Sequence, residues 1–244
     1  MNSGGRKLAG ILFDKDGTLI DFQETWGPTV HAMIVALAKG DPGLVAAQAA
    51  ALHFSLEEKR FRPTSPIVAG STADYGGTWG AALGRTDIDT LRAEIDAISA
   101  VESLKALAPI DEPVAVFVAL RAMGLRIGVA TNDSEQSARR QIGALGVADY
   151  VDFVAGYDTG HGGKPEPGMV LAFAKLLDVA ASEIAMVGDS LHDLDAARGA
   201  GALGIAVLSG PADRMALEPH ADFVIKHIGE LPALIERVTR ASAS

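Results

Sequence analysis

Two carboxylates spaced one residue apart, Asp14 and Asp16, directly follow the apolar run Ile11-Leu12-Phe13 and are followed at once by Gly17 and Thr18. In an extended strand, residues two apart share a face, so both carboxylates point the same way. The carboxyl end of a buried strand is where open α/β sheets place their ligand crevice. Gly17 allows a sharp turn and a close approach of backbone N–H groups to an anion. Two carboxylates, a tight turn and a hydroxyl suit a magnesium ion and a phosphoryl group. A strand that merely ends in an Asp-Gly turn shows the same pair, so this segment alone does not decide.

Three later segments add to it. Ile127-Gly128-Val129-Ala130-Thr131-Asn132 is a second apolar run, ending in a hydroxyl and an amide. Asp133 follows as the expected helix N-cap, with Gln136 three residues on as its capping-box partner. A phosphate there would meet Thr131, Asn132 and the positive end of a helix; an ordinary strand-to-helix cap explains the same residues. Lys164 lies in Gly163-Lys164-Pro165-Glu166-Pro167-Gly168, where the prolines fix the backbone locally. Most loop lysines are merely solvated, but an ammonium beside carboxylates and a phosphate would neutralise charge that otherwise repels. In Ile184-Ala185-Met186-Val187-Gly188-Asp189-Ser190-Leu191-His192-Asp193, an apolar run again enters an acidic loop. Asp189 and Asp193 converge if a helix begins here, and Asp193 also reads as a plain acidic helix cap.

The ordered set Asp14-Lys15-Asp16-Gly17-Thr18, Thr131-Asn132, Lys164-Pro165 and Gly188-Asp189-Ser190-Leu191-His192-Asp193 resembles the four motifs of the haloacid dehalogenase superfamily. The resemblance runs through nearly the whole chain. Asp16 separates the chain from the dehalogenases proper, which lack that second Asp, and from the phosphonatases, which carry Ala there. The pattern is similar to the phosphatase and phosphomutase branches.

The resemblance implies a set of roles. Asp14 would be the nucleophile, giving an aspartyl-phosphate. Asp16 would protonate the leaving alcohol and then take a proton from the hydrolytic water. Magnesium would be held by Asp14, the backbone carbonyl of Asp16 and Asp189, with Asp193 a direct ligand or a partner orienting a metal water or Lys164. Thr131, Asn132, Lys164 and the N–H groups around Gly17 would hold the phosphoryl oxygens.

Elements must position these residues. Strand-like runs recur at 8–14, 126–132, 150–155, 184–189, 204–208 and 222–225, with helical patterns at 113–123, 134–145, 168–177, 193–200 and 231–239. This alternation predicts a Rossmann-like parallel sheet with helices on both faces. Residues 21–108 break the alternation: helices are expected at 25–39, 43–59 and 88–107, the second opened by Asp41 as N-cap and Pro42 at the first helical position. The expected division is an α/β core of 1–20 and 109–244 with a helical cap of 21–108, hinged near Ile20-Asp21 and Ala108-Pro109. In the superfamily such an insert closes over the active site, excluding water. Two insert segments are candidates for specificity, 60–65 and 70–75. Arg60 or Arg62 could fork onto a second anionic group of the substrate.

Composition bounds the function. The 244 residues allow one large domain or two small ones, and 48% apolar content supports a sizeable core. The net charge of −10 argues against a nucleic-acid partner, though a bound cation and one lysine can reverse the field locally. There are no cysteines, Met1–Arg6 carries no apolar signal core, and no run approaches a membrane span. The expectation is a soluble cytoplasmic enzyme acting on a small phosphorylated metabolite, with 2-phosphoglycolate ranked first and a sugar phosphate second. A sugar phosphomutase of the β-phosphoglucomutase kind shares every core motif. A signalling receiver or a non-catalytic phospho-acceptor fits the ~85-residue insert and Asp16 less well.

Overall fold

In the computed structural model, residues 7–68, 70 and 72–240 are described; Met1–Arg6 and Ser71 lie outside them. The chain opens with β1 (Gly10–Phe13) and enters the insert: α1 (Phe22–Ala38), α2 (Pro42–Ala51), a hairpin of β2 (Phe54–Ser55) and β3 (Arg60–Phe61), α3 (Thr72–Leu83) and α4 (Ile88–Lys105). Strands and helices then alternate: α5 (Pro113–Ala122), β4 (Arg126–Ala130), α6 (Glu135–Ala144), β5 (Phe153–Ala155), α7 (Gly168–Leu177), β6 (Ile184–Gly188), α8 (Leu191–Ala200) and β7 (Leu203–Val207). The short α9 (Arg214–Leu217), β8 (Phe223–Ile225) and α10 (Leu231–Arg240) complete the order.

The six longer-range strands form one parallel sheet in the order β5-β4-β1-β6-β7-β8. Within β1, Ile11 and Phe13 face Phe117 of α5, Ile142 of α6 and Leu234 of α10, while Leu12 faces Phe173 of α7. The period of two sends alternate side chains to opposite faces. Helices cover both, which is why the strands read as continuous apolar runs rather than alternating ones. Fully burying a side chain such as Phe117 or Phe173 contributes roughly 1.5–3 kcal/mol.

The insert has its own apolar cluster, including Trp26, Met33, Leu52, Trp79, Leu91 and Ile95. Its helices follow the expected signals at α1, where Asp21 caps Glu24, and at α2, where Asp41 caps Gly43 and Leu44. The helix expected over 43–59 is shorter. It stops at Ala51, and His53 turns with φ 48° into the hairpin. Burial explains the early stop: the Phe61 ring packs tilted against Phe22 and edge-on against Phe54, at centroid distances of 5.1 and 5.2 Å. In the candidate segment 70–75, α3 begins at Thr72. Gly76, Gly77 and Gly80 lower its helix propensity. Tertiary contacts supply what propensity lacks: buried Trp79 donates its indole N–H to Gln48 of α2 at 2.7 Å.

Where the insert leaves and rejoins the sheet, the two passing segments are hydrogen-bonded to each other. Asp21 N–H donates to the Ala108 carbonyl at 2.8 Å, and Ile110 N–H to the Leu19 carbonyl at 2.9 Å. Among the described residues, no helix is long and apolar enough to cross a membrane.

Candidate active site

Register brings the site together. Phe13 lies opposite both Val129 of β4 and Val187 of β6, so the residues just past these strands emerge side by side. They are Asp14, Thr131 and Asp189. Asp14 N–H donates to the Val187 carbonyl at 2.8 Å and Thr131 N–H to the Ala155 carbonyl at 2.9 Å, which carries the strand geometry one residue further.

Lys164 reaches the same place from the loop before α7. Its ammonium pairs with Asp14 and, at 2.7 Å, with Asp193. Asn132 holds that loop. Its side-chain carbonyl accepts from Lys164 N–H and its amide donates to the Lys164 carbonyl, both at 2.9 Å. Asp193 serves two purposes at once: one oxygen meets Lys164, and the other accepts from the Ser190 N–H at 3.1 Å and hydroxyl at 2.6 Å, capping α8. Asp193 thus both caps α8 and meets Lys164.

Asp14, Asp189 and Asp193 are buried, and a carboxylate oxygen of each lies within 4.8 Å of the others. Burial pushes the Asp14 carboxyl up to about 7; Lys164 pulls it down, while Asp193 and Asp16 add repulsion. Burial, with Asp14 and Asp193 adding repulsion, also holds Asp189 well above the carboxylate range. Burial alone would lower Lys164, but the carboxylates of Asp14 and Asp193 outweigh it and raise the ammonium above its ordinary range. Three buried carboxylates with one ammonium are short of positive charge, and an all-oxygen donor set of this kind fits a hard divalent cation.

Gly17 turns with φ 84°, and a Cβ there would overlap the Asp189 carboxylate. Its own N–H donates to the Ile20 carbonyl at 2.7 Å. Gly17's own N–H is thus engaged within the turn, and at the site the residue contributes space.

The Asp16 carboxylate is held by residues the sequence reading passed over. Trp26 of α1 donates its indole N–H to one Asp16 oxygen. Lys15 reaches the other at 2.7 Å and Asp133 at 3.2 Å, with its ammonium 5.1 Å from the Trp26 ring centroid. Lys15 is fully buried. Burial works against its charge, yet Asp16 and Asp133 raise its pKa. A signal was available: the residue between two same-facing carboxylates must point the opposite way, into the protein. Thr131 donates to Asp16 at 3.4 Å and accepts from Asp133 N–H at 3.0 Å. Asp133 is not the N-cap of α6; Ser134 is, accepting from Ser137 N–H at 3.4 Å. The Asp133 carboxylate is engaged by Lys15, so the cap moves one residue on.

A cavity of about 290 Å³ lies between these strand ends and the insert, floored by Asp14, Asp16, Thr131, Asn132, Lys164 and Asp189. Arg60 and Arg62 do not line it. Arg60 pairs with Glu24 on the exposed hairpin, and Arg62 is exposed beyond it. The structure thus brings together every predicted core residue and leaves both predicted arginines outside.

Comparison with known proteins agrees with this geometry. The family model of haloacid dehalogenase-like hydrolases matches residues 8–201. A phosphoglycolate phosphatase of Rhodospirillum rubrum is 34% identical over 197 residues, 78% of this chain and 76% of that one. One of Chromobacterium violaceum is 38% identical over 117 residues, 48% of this chain and 52% of the relative. The chain thus spans about half the length of that relative and of the next two phosphoglycolate phosphatases it matches. The fold is shared with a solved hydrolase of Deinococcus radiodurans, whose structure holds phosphate and sodium, at a TM-score of 0.65 and 19% identity, covering 96% of this chain and 97% of that one.

Proposed function

Because the chain belongs to the haloacid dehalogenase-like hydrolases, we propose that it is a magnesium-dependent phosphatase that hydrolyses a small phosphomonoester through an aspartyl-phosphate on Asp14. The observation that carries this reading is the convergence of Asp14, Lys164, Asp189 and Asp193, buried under one small cavity.

Asp14 attacks phosphorus and the ester oxygen leaves as the alcohol, taking a proton from Asp16. Water then attacks the aspartyl-phosphate while Asp16 takes its proton, and inorganic phosphate departs. Asp14, Asp189 and the backbone carbonyl of Asp16 would hold magnesium, with Asp193 adjacent. When bound, the cation supplies charge neutralisation on the phosphoryl oxygens. Lys164 balances Asp14 and Asp193, Asn132 fixes the loop that presents Lys164, and Thr131 offers a hydroxyl. Trp26 and Lys15 act through Asp16: each grips one of its oxygens, so the acid is held in one rotamer. Residues 21–108 act as a cap on the core of 1–20 and 109–244, and Trp26 ties cap position to the orientation of the acid.

The test is phosphate release from p-nitrophenyl phosphate with and without a chelator. Turnover that stops on chelation and returns with magnesium supports the assignment. Turnover indifferent to chelation removes the metal from it, and no turnover of any phosphomonoester refutes the phosphatase.

A further inference from the structure

The wall of the cavity is largely apolar. It is formed by Phe22, Trp26, Ile67, Val68 and Tyr75 of the insert and Leu191 of α8. Among the described residues, Lys164 is the sole lysine or arginine lining the cavity, and it is engaged by Asp14 and Asp193. Lys15 is enclosed by Asp16 and Asp133, and Arg60 is paired with Glu24 outside. The Tyr75 hydroxyl lies 3.3 Å from Thr72, and burial pushes its pKa up, so it remains neutral. A carboxylate on the substrate would lose its water against this wall and find no free lysine or arginine there.

We propose that the alcohol portion of the substrate is uncharged and lays an apolar face on this wall. The inference rests on the phosphatase reading and names the class of ester it takes. His192 also lines the cavity. The volume of about 290 Å³ accommodates a ring-sized alcohol beside the phosphate and excludes a macromolecule.

The experiment compares kcat/KM, in magnesium, for benzyl phosphate, ethyl phosphate and 2-phosphoglycolate. p-Nitrophenyl phosphate reports whether the chemistry works at all. Benzyl phosphate is expected to exceed ethyl phosphate and 2-phosphoglycolate by about 10-fold each. Val68→Arg, at a half-buried wall position, is expected to move the benzyl-to-phosphoglycolate ratio about 10-fold toward phosphoglycolate, because the guanidinium supplies the missing partner. The inference is overturned if 2-phosphoglycolate equals or exceeds benzyl phosphate, or if benzyl phosphate is no better than ethyl phosphate. Should Val68→Arg fail to fold, the wild-type ranking alone decides. If no ester is cleaved, including p-nitrophenyl phosphate, the phosphatase reading fails and this inference with it. A protein that cleaves p-nitrophenyl phosphate yet ranks phosphoglycolate first refutes this inference alone.

Discussion

At the strand ends, Asp14, Asp189 and Asp193 crowd around one lysine, whereas the described residues of the insert facing them lend the cavity Phe22, Trp26, Ile67, Val68 and Tyr75 and no charged side chain. The two surfaces arise in different ways. The floor is set by backbone register, because β4, β1 and β6 end side by side and deliver whatever residue comes next. The wall is set by how four helices and a short hairpin pack, so its residues come from scattered positions with no periodic sign. On the proposed reading, charge concentrated on one surface and absent from the other separates the tasks: one would handle the phosphoryl group and the other accept the alcohol.

Breaking the floor should have the largest effect. Asp14→Asn is expected to lower kcat by at least about 1,000-fold, since the proposed nucleophile is lost, while the fold survives. The same variant reads the charge crowding. With its pKa raised to about 7, Asp14 binds its proton more tightly in the folded state than in the unfolded one. Its contribution in the metal-free protein is therefore favourable at low pH and is lost as pH rises from about 4 to about 7. Metal-free wild type should lose several degrees of Tm over that range, and Asp14→Asn should lose less. Magnesium should raise wild-type Tm more at about pH 7.5 than at about pH 5.5, because the ligands must be ionised. A wild-type Tm that climbs through this range, with magnesium equally effective at both ends, would show that the triad is not short of positive charge.

The same contrast explains what the sequence made legible. All six parallel strands could be read, because apolar runs buried on both faces, as in β1, β6 and β7, are hard to mistake, and Asp14, Thr131, Lys164, Asp189 and Asp193 follow from the motifs beside them. The hairpin at Phe54–Ser55 and Arg60–Phe61 was not legible: its strands are two residues each, and aromatic packing, not alternation, holds them. Helix α3 was hidden by its glycines. Lys15 and Trp26 escaped because their partners, Asp133 and Asp16, lie far away in the chain or on another element. The arginines were chosen for their type, and type says nothing of direction.

A smaller effect should come from the one place where wall and floor touch. Trp26→Phe keeps a ring beneath the Lys15 ammonium but removes the N–H that Asp16 accepts. Freed on one side, the Asp16 carboxyl samples other rotamers, and proton donation to a poor leaving group suffers. The expected loss is roughly 10-fold in kcat for an alkyl phosphate and under about 3-fold for p-nitrophenyl phosphate, whose leaving group needs little protonation. Equal losses on both esters would assign Trp26 to the shape of the wall alone.

The smallest effect is expected at Arg60 and Arg62, and its smallness is informative. Arg60 sits on β3, and β3 is fastened to α1 through Gln23, whose side-chain carbonyl accepts from Phe61 N–H at 3.0 Å and whose amide donates to the Phe61 carbonyl at 3.3 Å. The pairing partner of Arg60, Glu24, is on the same helix, and both side chains are half-exposed. An exposed pair of this kind contributes at most about 1 kcal/mol. Arg60→Ala and Arg62→Ala should therefore each leave kcat and KM within about twofold for charged and uncharged esters alike, with little change in Tm. A drop of about 10-fold or more in kcat/KM confined to carboxylated esters would mean that the hairpin leaves α1 and swings an arginine over the floor during turnover. The uncharged wall would then belong to one position of the insert only, and the division of labour between the two surfaces would be a property of that position.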